Sequence, residues 1–161
     1  MISSSRIIES PIGPLKLTVD HRALIGIDWA TPGEPISTEH ARKGATLDRV
    51  QSELSRYFSG KLKHWSLELA LEGTEFQQSV WAALRNIPVG TTSTYQEIAD
   101  AIGRPSAVRA VGSAIGRNPI PVVIPCHRVI GSNGSLTGFS GGLDKKTWLL
   151  RHEGILPANT N

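Results

Sequence analysis

The chain has 161 residues, 39% of them hydrophobic and 19% charged, with a net charge of +3. That is enough apolar material for one domain or two small ones, and it excludes a disordered chain. A single cysteine permits no internal disulfide and points to a reducing compartment, and with no run of about 18 apolar residues and no charged region leading into an apolar one, neither a membrane span nor a secretory signal is expected.

The first half reads as short strands and one helix. Arg6–Glu9 leads into the turn Ser10-Pro11-Ile12-Gly13-Pro14. Lys16–Asp20 alternates polar and apolar residues, as a half-buried strand does, and Ala23–Trp29 is a third strand. A loop is expected from Thr31 to Ala45. Leu47, Val50, Leu54 and Phe58 then recur at helical spacing, stopped by Gly60. Leu67, Leu69 and Leu71 suggest an extended linker or edge strand.

The second half is helical. Thr74–Gln77 and Thr94–Glu97 are capping boxes. Phe76, Val80, Leu84 and Ile87 form one helical face before Pro88. Ile98, Ala101 and Ile102 form another, with Gly103 as its C-cap. A helix is predicted over Ser106–Ile115. The two short helices fit a helix-turn-helix or an ordinary helical hairpin. The second helix is rich in small residues (Ala107, Ala110, Gly112, Ser113, Ala114), which suits close approach to a surface such as a minor groove better than base reading in the major groove. Charge follows the same division. Residues 1–73 carry nine basic and nine acidic side chains, residues 74–161 eight and five. No carboxylate lies between Asp100 and Asp144, whereas Arg104, Arg109, Arg117 and Arg128 do. Such a stretch suits a polyanionic partner, or is a chance run on a mildly basic protein.

Pro119–Ile130 holds the one cysteine. Prolines 119, 121 and 125 exclude a helix interior, and Ile120, Val122, Val123 and Ile124 predict a buried extended segment. Cys126 is either an inert packed thiol or a nucleophile activated by a base. His127 is adjacent, but neighbours on a strand face opposite ways, so contact needs a bend or a bridging water. Ser132-Asn133-Gly134 predicts a hairpin turn between short strands. Gly138, Gly141 and Gly142 give a loop able to pass close to a ligand. A last helix is expected, capped by Asp144, with Trp148 and Leu149 facing the core and Gly154 ending it. Glu153 sits at that helix's C-terminus, where the dipole disfavours a carboxylate. The scattered histidines give no paired ligand spacing, so no metal is expected.

Residues 74–156 carry Phe-Gln-Gln-Ser-Val-Trp at 76–81, Thr-Tyr-Gln-Glu-Ile-Ala at 94–99 and Val-Arg-Ala-Val-Gly at 108–112. They also carry Asn-Pro-Ile-Pro-Val-Val-Ile-Pro-Cys-His-Arg-Val-Ile at 118–130, Phe-Ser-Gly-Gly at 139–142 and Leu-Leu-Arg-His-Glu-Gly at 149–154. This set closely resembles the catalytic domain of the O6-alkylguanine-DNA alkyltransferases. The resemblance implies an α/β fold: a small strand-plus-helix, ribonuclease H-like domain at 1–73, then a mainly helical, winged-helix-like domain with a helix-turn-helix at 74–161. It implies that Cys126 irreversibly accepts an alkyl group from O6-alkylguanine in double-stranded DNA, and less well from O4-alkylthymine. His127 would act through a water as base, Glu153 would orient it, Asn118 would brace the site and Tyr95 would protonate the departing guanine. Tyr95, the Val129 carbonyl, Phe139 and Ser140 would hold the base. Arg109 would fill the gap left by the extruded nucleotide, from a minor-groove helix that also presents Ala110, Gly112 and Ser113, with Thr94 beside it. Phe139 stands where many members carry Tyr. No cofactor and no zinc are expected, because the first half has no cysteine. The protein is expected to be a cytoplasmic monomer without membrane association. Two alternatives differ in their requirements. A catalytically silent DNA-binding relative would lack Cys126, and a thiol hydrolase or redox enzyme working on small molecules would turn over repeatedly and ignore DNA.

Overall fold

The computed structural model describes residues 3–31, 33–34 and 41–156. Two compact units divide the chain, Met1–Leu71 and Glu72–Asn161. Strands followed by helices give the α/β class expected from the sequence. No helix among the described residues is long and apolar enough to cross a membrane.

In the first unit, β1 (Ser4–Ile8), β2 (Leu15–Val19) and β3 (Leu24–Trp29) form an antiparallel sheet in that order. Register follows alternation: Arg6 pairs with Leu17, and Leu17 with Ile27. Leu15, Leu17 and Val19 are wholly buried on one face. The β1–β2 turn closes through Gly13 N–H to the Ser10 carbonyl at 3.0 Å, with Gly13 at φ 99°. Helix α1 (Ala41–Phe58) lays Leu47, Val50, Leu54 and Tyr57 into the core. Tyr57 takes the buried place expected of Phe58, which is only half-buried. The loop expected over Thr31–Ala45 lies partly outside the described residues, and its last part already belongs to α1. Leu69 bridges to Leu24, so residues 67–71 include a short edge pairing.

The second unit comprises α2 (Glu75–Arg85), β4 (Ser93–Thr94), α3 (Tyr95–Ala101), α4 (Val108–Gly116), β5 (Val129–Ile130) and α5 (Leu143–His152). Both capping boxes form: Thr74 accepts from Gln77 N–H, and Thr94 from Glu97 N–H. Gly103, at φ 74°, ends α3, and Arg104 N–H reaches back to the Ala99 carbonyl at 2.9 Å. That turn uses residues 104–107, so α4 starts two residues later than predicted. Trp81 donates its indole N–H to the Ala114 carbonyl at 2.9 Å, fixing α4 on α2.

Further sequence expectations change. Residues 119–125 are not extended, with 120–125 buried and Pro119 half-buried. They fold into a tight turn in which Ile124 N–H bonds the Ile120 carbonyl at 2.9 Å and Val122 adopts φ 76°. The prolines cannot donate to a strand ladder, and Asn118 supplies bonds to both sides of the turn instead. The turn at Gly131–Ser135 forms, but no second strand follows it. β5 pairs in parallel with β4, Ser93 opposite Val129. Asp144 lies in the first turn of α5 rather than capping it. The cap is Gly142 at φ 101°, with no side-chain bond. Leu149 is buried as expected, whereas Trp148 is half-buried.

Candidate active site

The tight turn delivers Cys126 into a 3-10 turn, Cys126–Arg128. This is the bend that contact beyond a strand requires. It sends three successive side chains to different tasks. Cys126 is 6% exposed and lines a cavity of about 170 Å3 with Tyr95, Gly112, Ile115, Phe139 and Ser140. Burial pushes the thiol up to about 11, partly opposed by a hydrogen bond from Asn118 and by the charge of Lys146. At neutral pH the resting thiol is therefore protonated, and its chemistry needs a base.

His127 is wholly buried, and its Nε2 lies 2.8 Å from Glu153 Oε2. Arg128 grips the same carboxylate, Nε to Oε1 at 2.7 Å and Nη2 to Oε2 at 2.9 Å, and its Nη1 donates to the Ile87 carbonyl at 2.6 Å. This cation explains a carboxylate at the C-terminus of α5. It also removes Arg128 from the basic stretch offered to a polyanion, because the side chain is buried and paired. Burial alone would raise the Glu153 carboxyl, but the bonds from His127 and Arg128 outweigh it and hold it well below the usual carboxylate range. Burial lowers His127, against the pull of Glu153. A carboxylate only accepts, so His127 carries its proton on Nε2. Its Nδ1 is then a bare lone pair, buried and without a hydrogen-bond partner in the protein. The arrangement is an imidazole oriented by a carboxylate, with the carboxylate held by an arginine.

These shifts predict acid sensitivity. His127 is lowered in the fold, so below its ordinary 6.5 the unfolded chain takes up a proton that the folded one refuses. Glu153 is lowered too, so its contribution is present above the ordinary 4.5 and is lost as pH falls below it. Urea midpoints should decline from about pH 6.5 downward, and Glu153→Gln should remove the part of the decline that lies below pH 4.5. A midpoint that stays flat from neutral to acid pH would contradict the assignment.

Asn118 braces the turn: Nδ2 donates to the Ile124 carbonyl at 2.8 Å, and Oδ1 accepts from Ile120 N–H at 2.9 Å. Tyr95, the first residue of α3, extends its hydroxyl to 3.0 Å from Thr137 Oγ1. Val129 is buried, and its carbonyl accepts from Lys146 Nζ at 2.7 Å. On α4, Arg109, Ala110 and Ser113 are exposed and Gly112 is half-buried against the Tyr95 ring. Thr94 is half-buried, its hydroxyl engaged as the cap of α3. Cys126, Tyr95, Gly112, Phe139 and Ser140 thus share one cavity, while Arg109, Ala110 and Ser113 stand on the exposed part of the helix that forms its wall. Sequence reasoning missed Lys146, Thr137 and the role of Arg128. For Lys146 a signal existed: a lysine three and four residues before the buried Leu149 and Leu150 lies on the apolar stripe of α5.

Residues 75–155 match the model of the 6-O-methylguanine DNA methyltransferase DNA binding domain, and residues 5–71 match that family's ribonuclease-like domain. A methylated-DNA–protein-cysteine methyltransferase of Methanosarcina barkeri is 50% identical over 149 residues, 91% of this chain and 94% of that protein. One from Mycobacterium tuberculosis is 46% identical, covering 92% and 90%. The crystal structure of Mycobacterium tuberculosis OGT in complex with DNA superposes with a TM-score of 0.84 at 42% identity, covering 96% of each chain. Family models thus cover both halves of the chain, and relatives of nearly equal length share close to half its residues. The chain belongs to the 6-O-methylguanine DNA methyltransferase family.

Proposed function

We propose that the protein repairs DNA by direct reversal, moving an alkyl group from O6 of guanine, and less well from O4 of thymine, onto its own Cys126. The observation that carries this reading is the placement of the one thiol in a cavity walled by the small-residue helix α4, with Tyr95 lining the same cavity. Sγ attacks the alkyl carbon, a new S–C bond forms and the C–O6 bond breaks. The thiol proton passes through a water to His127 Nδ1, and Glu153 steadies the imidazolium. The electron pair left on guanine is neutralised by the Tyr95 proton, which solvent restores. The thioether has no leaving path, because the chain holds no second thiol. Each molecule therefore acts once.

Guanine must leave the duplex to reach the cavity. α4 enters the minor groove, where Ala110, Gly112 and Ser113 allow close approach and Arg109 fills the gap in the stack. Thr94 and Ser113 contact the backbone. Ser140 and the second lone pair of the Val129 carbonyl hold the base, and Phe139 covers it without a hydroxyl. Residues 74–161 thus carry chemistry and DNA binding, with 1–73 as a separate domain. The protein works in the cytoplasm as a monomer, without a cofactor. Titration with duplex carrying labelled O6-methylguanine tests this: transfer should plateau at one methyl per chain. Repeated turnover would refute it.

A further inference from the structure

Lys146 is the one lysine buried completely among the described residues. Its Nζ donates to the Val129 carbonyl at 2.7 Å, the Thr137 carbonyl at 2.6 Å and the Gly138 carbonyl at 3.4 Å. An ammonium has three donors and no acceptor, so three convergent carbonyls match its charged form. Burying such a group costs several kcal/mol unless it is fully bonded. A purely structural position on the stripe of Leu149 and Leu150 would be filled better by an apolar side chain. What the ammonium joins is specific. Val129 directly follows the 3-10 turn that carries Cys126. Thr137 and Gly138 lie in a segment, 135–139, that has neither helix nor strand to hold it. That segment continues into Phe139 and Ser140 of the cavity wall, and Thr137 meets the Tyr95 hydroxyl at 3.0 Å.

We propose that Lys146 is the positioning residue of the pocket: its buried ammonium ties the end of β5 to the loop at Thr137–Gly138, and through the Thr137 hydroxyl it aims Tyr95 at the base. Lys146 thereby fixes the distance between the thiol and the loop wall that must receive guanine. Its ammonium does not touch the reacting atoms; it acts through Val129 and Thr137. The kinetic part of this proposal rests on the alkyl-transfer reading, while the geometric part does not.

The test uses the full chain with Lys146→Met, Lys146→Arg, Thr137→Val and the Met/Val double variant. The protein has two tyrosines, so 13C-labelled tyrosine gives one resonance for Tyr95 and one for Tyr57 as internal reference. Thr137→Val and Lys146→Met should both move the Tyr95 resonance and leave that of Tyr57. In single-turnover transfer, Lys146→Met should lower the maximal rate about 100-fold and Thr137→Val about tenfold, since small misplacements of a reacting group are that costly. The half-saturating DNA concentration should stay, because α4 is untouched. The double variant should lose no more than Lys146→Met alone, because both act through Thr137. Lys146→Arg should fall between, its planar fork fitting three convergent carbonyls poorly.

A Tyr95 resonance unmoved in Lys146→Met, losses that multiply in the double variant, or a loss confined to DNA affinity would overturn the proposal. Should Lys146→Met not fold, Thr137→Val and Lys146→Arg still decide, and an unmoved Tyr95 in Thr137→Val sinks the idea. A parent protein that transfers no methyl would defeat the alkyl-transfer reading instead, and the two tyrosine resonances would still judge the clamp.

Discussion

Glu153→Gln is expected to slow alkyl transfer by roughly 100- to 10,000-fold, the range seen when the carboxylate that orients a catalytic imidazole loses its charge. The amide keeps the shape of the side chain but not its role. A carboxylate can only accept, which is why His127 carries its proton on Nε2 and offers Nδ1 bare. An amide can donate, so the imidazole is free to turn to the other tautomer and lose its basic lone pair on the reactive side. The same change strands Arg128, which is buried and donates two bonds to Glu153. Leaving one partner of a buried pair alone costs about 3–5 kcal/mol. The two effects separate in Glu153→Gln combined with Arg128→Met. Removing both charges should recover much of the stability in urea unfolding and none of the rate. A Glu153→Gln protein with the parent rate would mean that His127 is not the base.

Arg109→Ala is expected to slow repair of duplex DNA by about 10- to 100-fold, which corresponds to about 1.4–2.7 kcal/mol at the barrier. Extruding a base costs a few kcal/mol, and a side chain that fills the vacated stack offsets part of that. Arg109 is exposed on α4 and is not among the residues lining the cavity. Reaction with free O6-benzylguanine, which needs no extrusion, should therefore stay within about threefold of the parent. Binding of unmodified duplex should weaken as salt rises, because neutralised phosphates release counterions. Equal losses on duplex and free base would place Arg109 in the pocket rather than in the stack.

What the sequence made legible is what local rules control. Two capping boxes, alternation in β2 and the glycine stop at 103 each needed only a few neighbouring residues, and each formed. The proline-rich segment misled because apolar residues bounded by prolines fit a buried strand and a buried turn equally. The outcome depends on Asn118, whose side chain replaces the missing backbone donors. Cys126, His127 and Glu153 were legible as types, and the odd place of Glu153 flagged it. Its second partner was not legible, since Arg128 reads from sequence as one more exposed base in an acid-free stretch. Lys146 was hidden for a related reason. Lysine is almost never fully buried, and its three acceptors are backbone carbonyls, which no side-chain pattern announces.

The thiol itself remains the point on which everything turns. It is buried, raised to about 11, and the one cysteine of the chain. Such a group is inert unless its neighbours take the proton and a substrate enters the cavity. The direct measurement is intact mass after incubation with duplex carrying O6-methylguanine, followed by peptide mapping, with Cys126→Ala alongside. One added methylene mass per chain, on the peptide holding Cys126 and absent from Cys126→Ala, is the expected result. An unmodified chain beside repaired DNA, or a methyl group retained in Cys126→Ala, would contradict it.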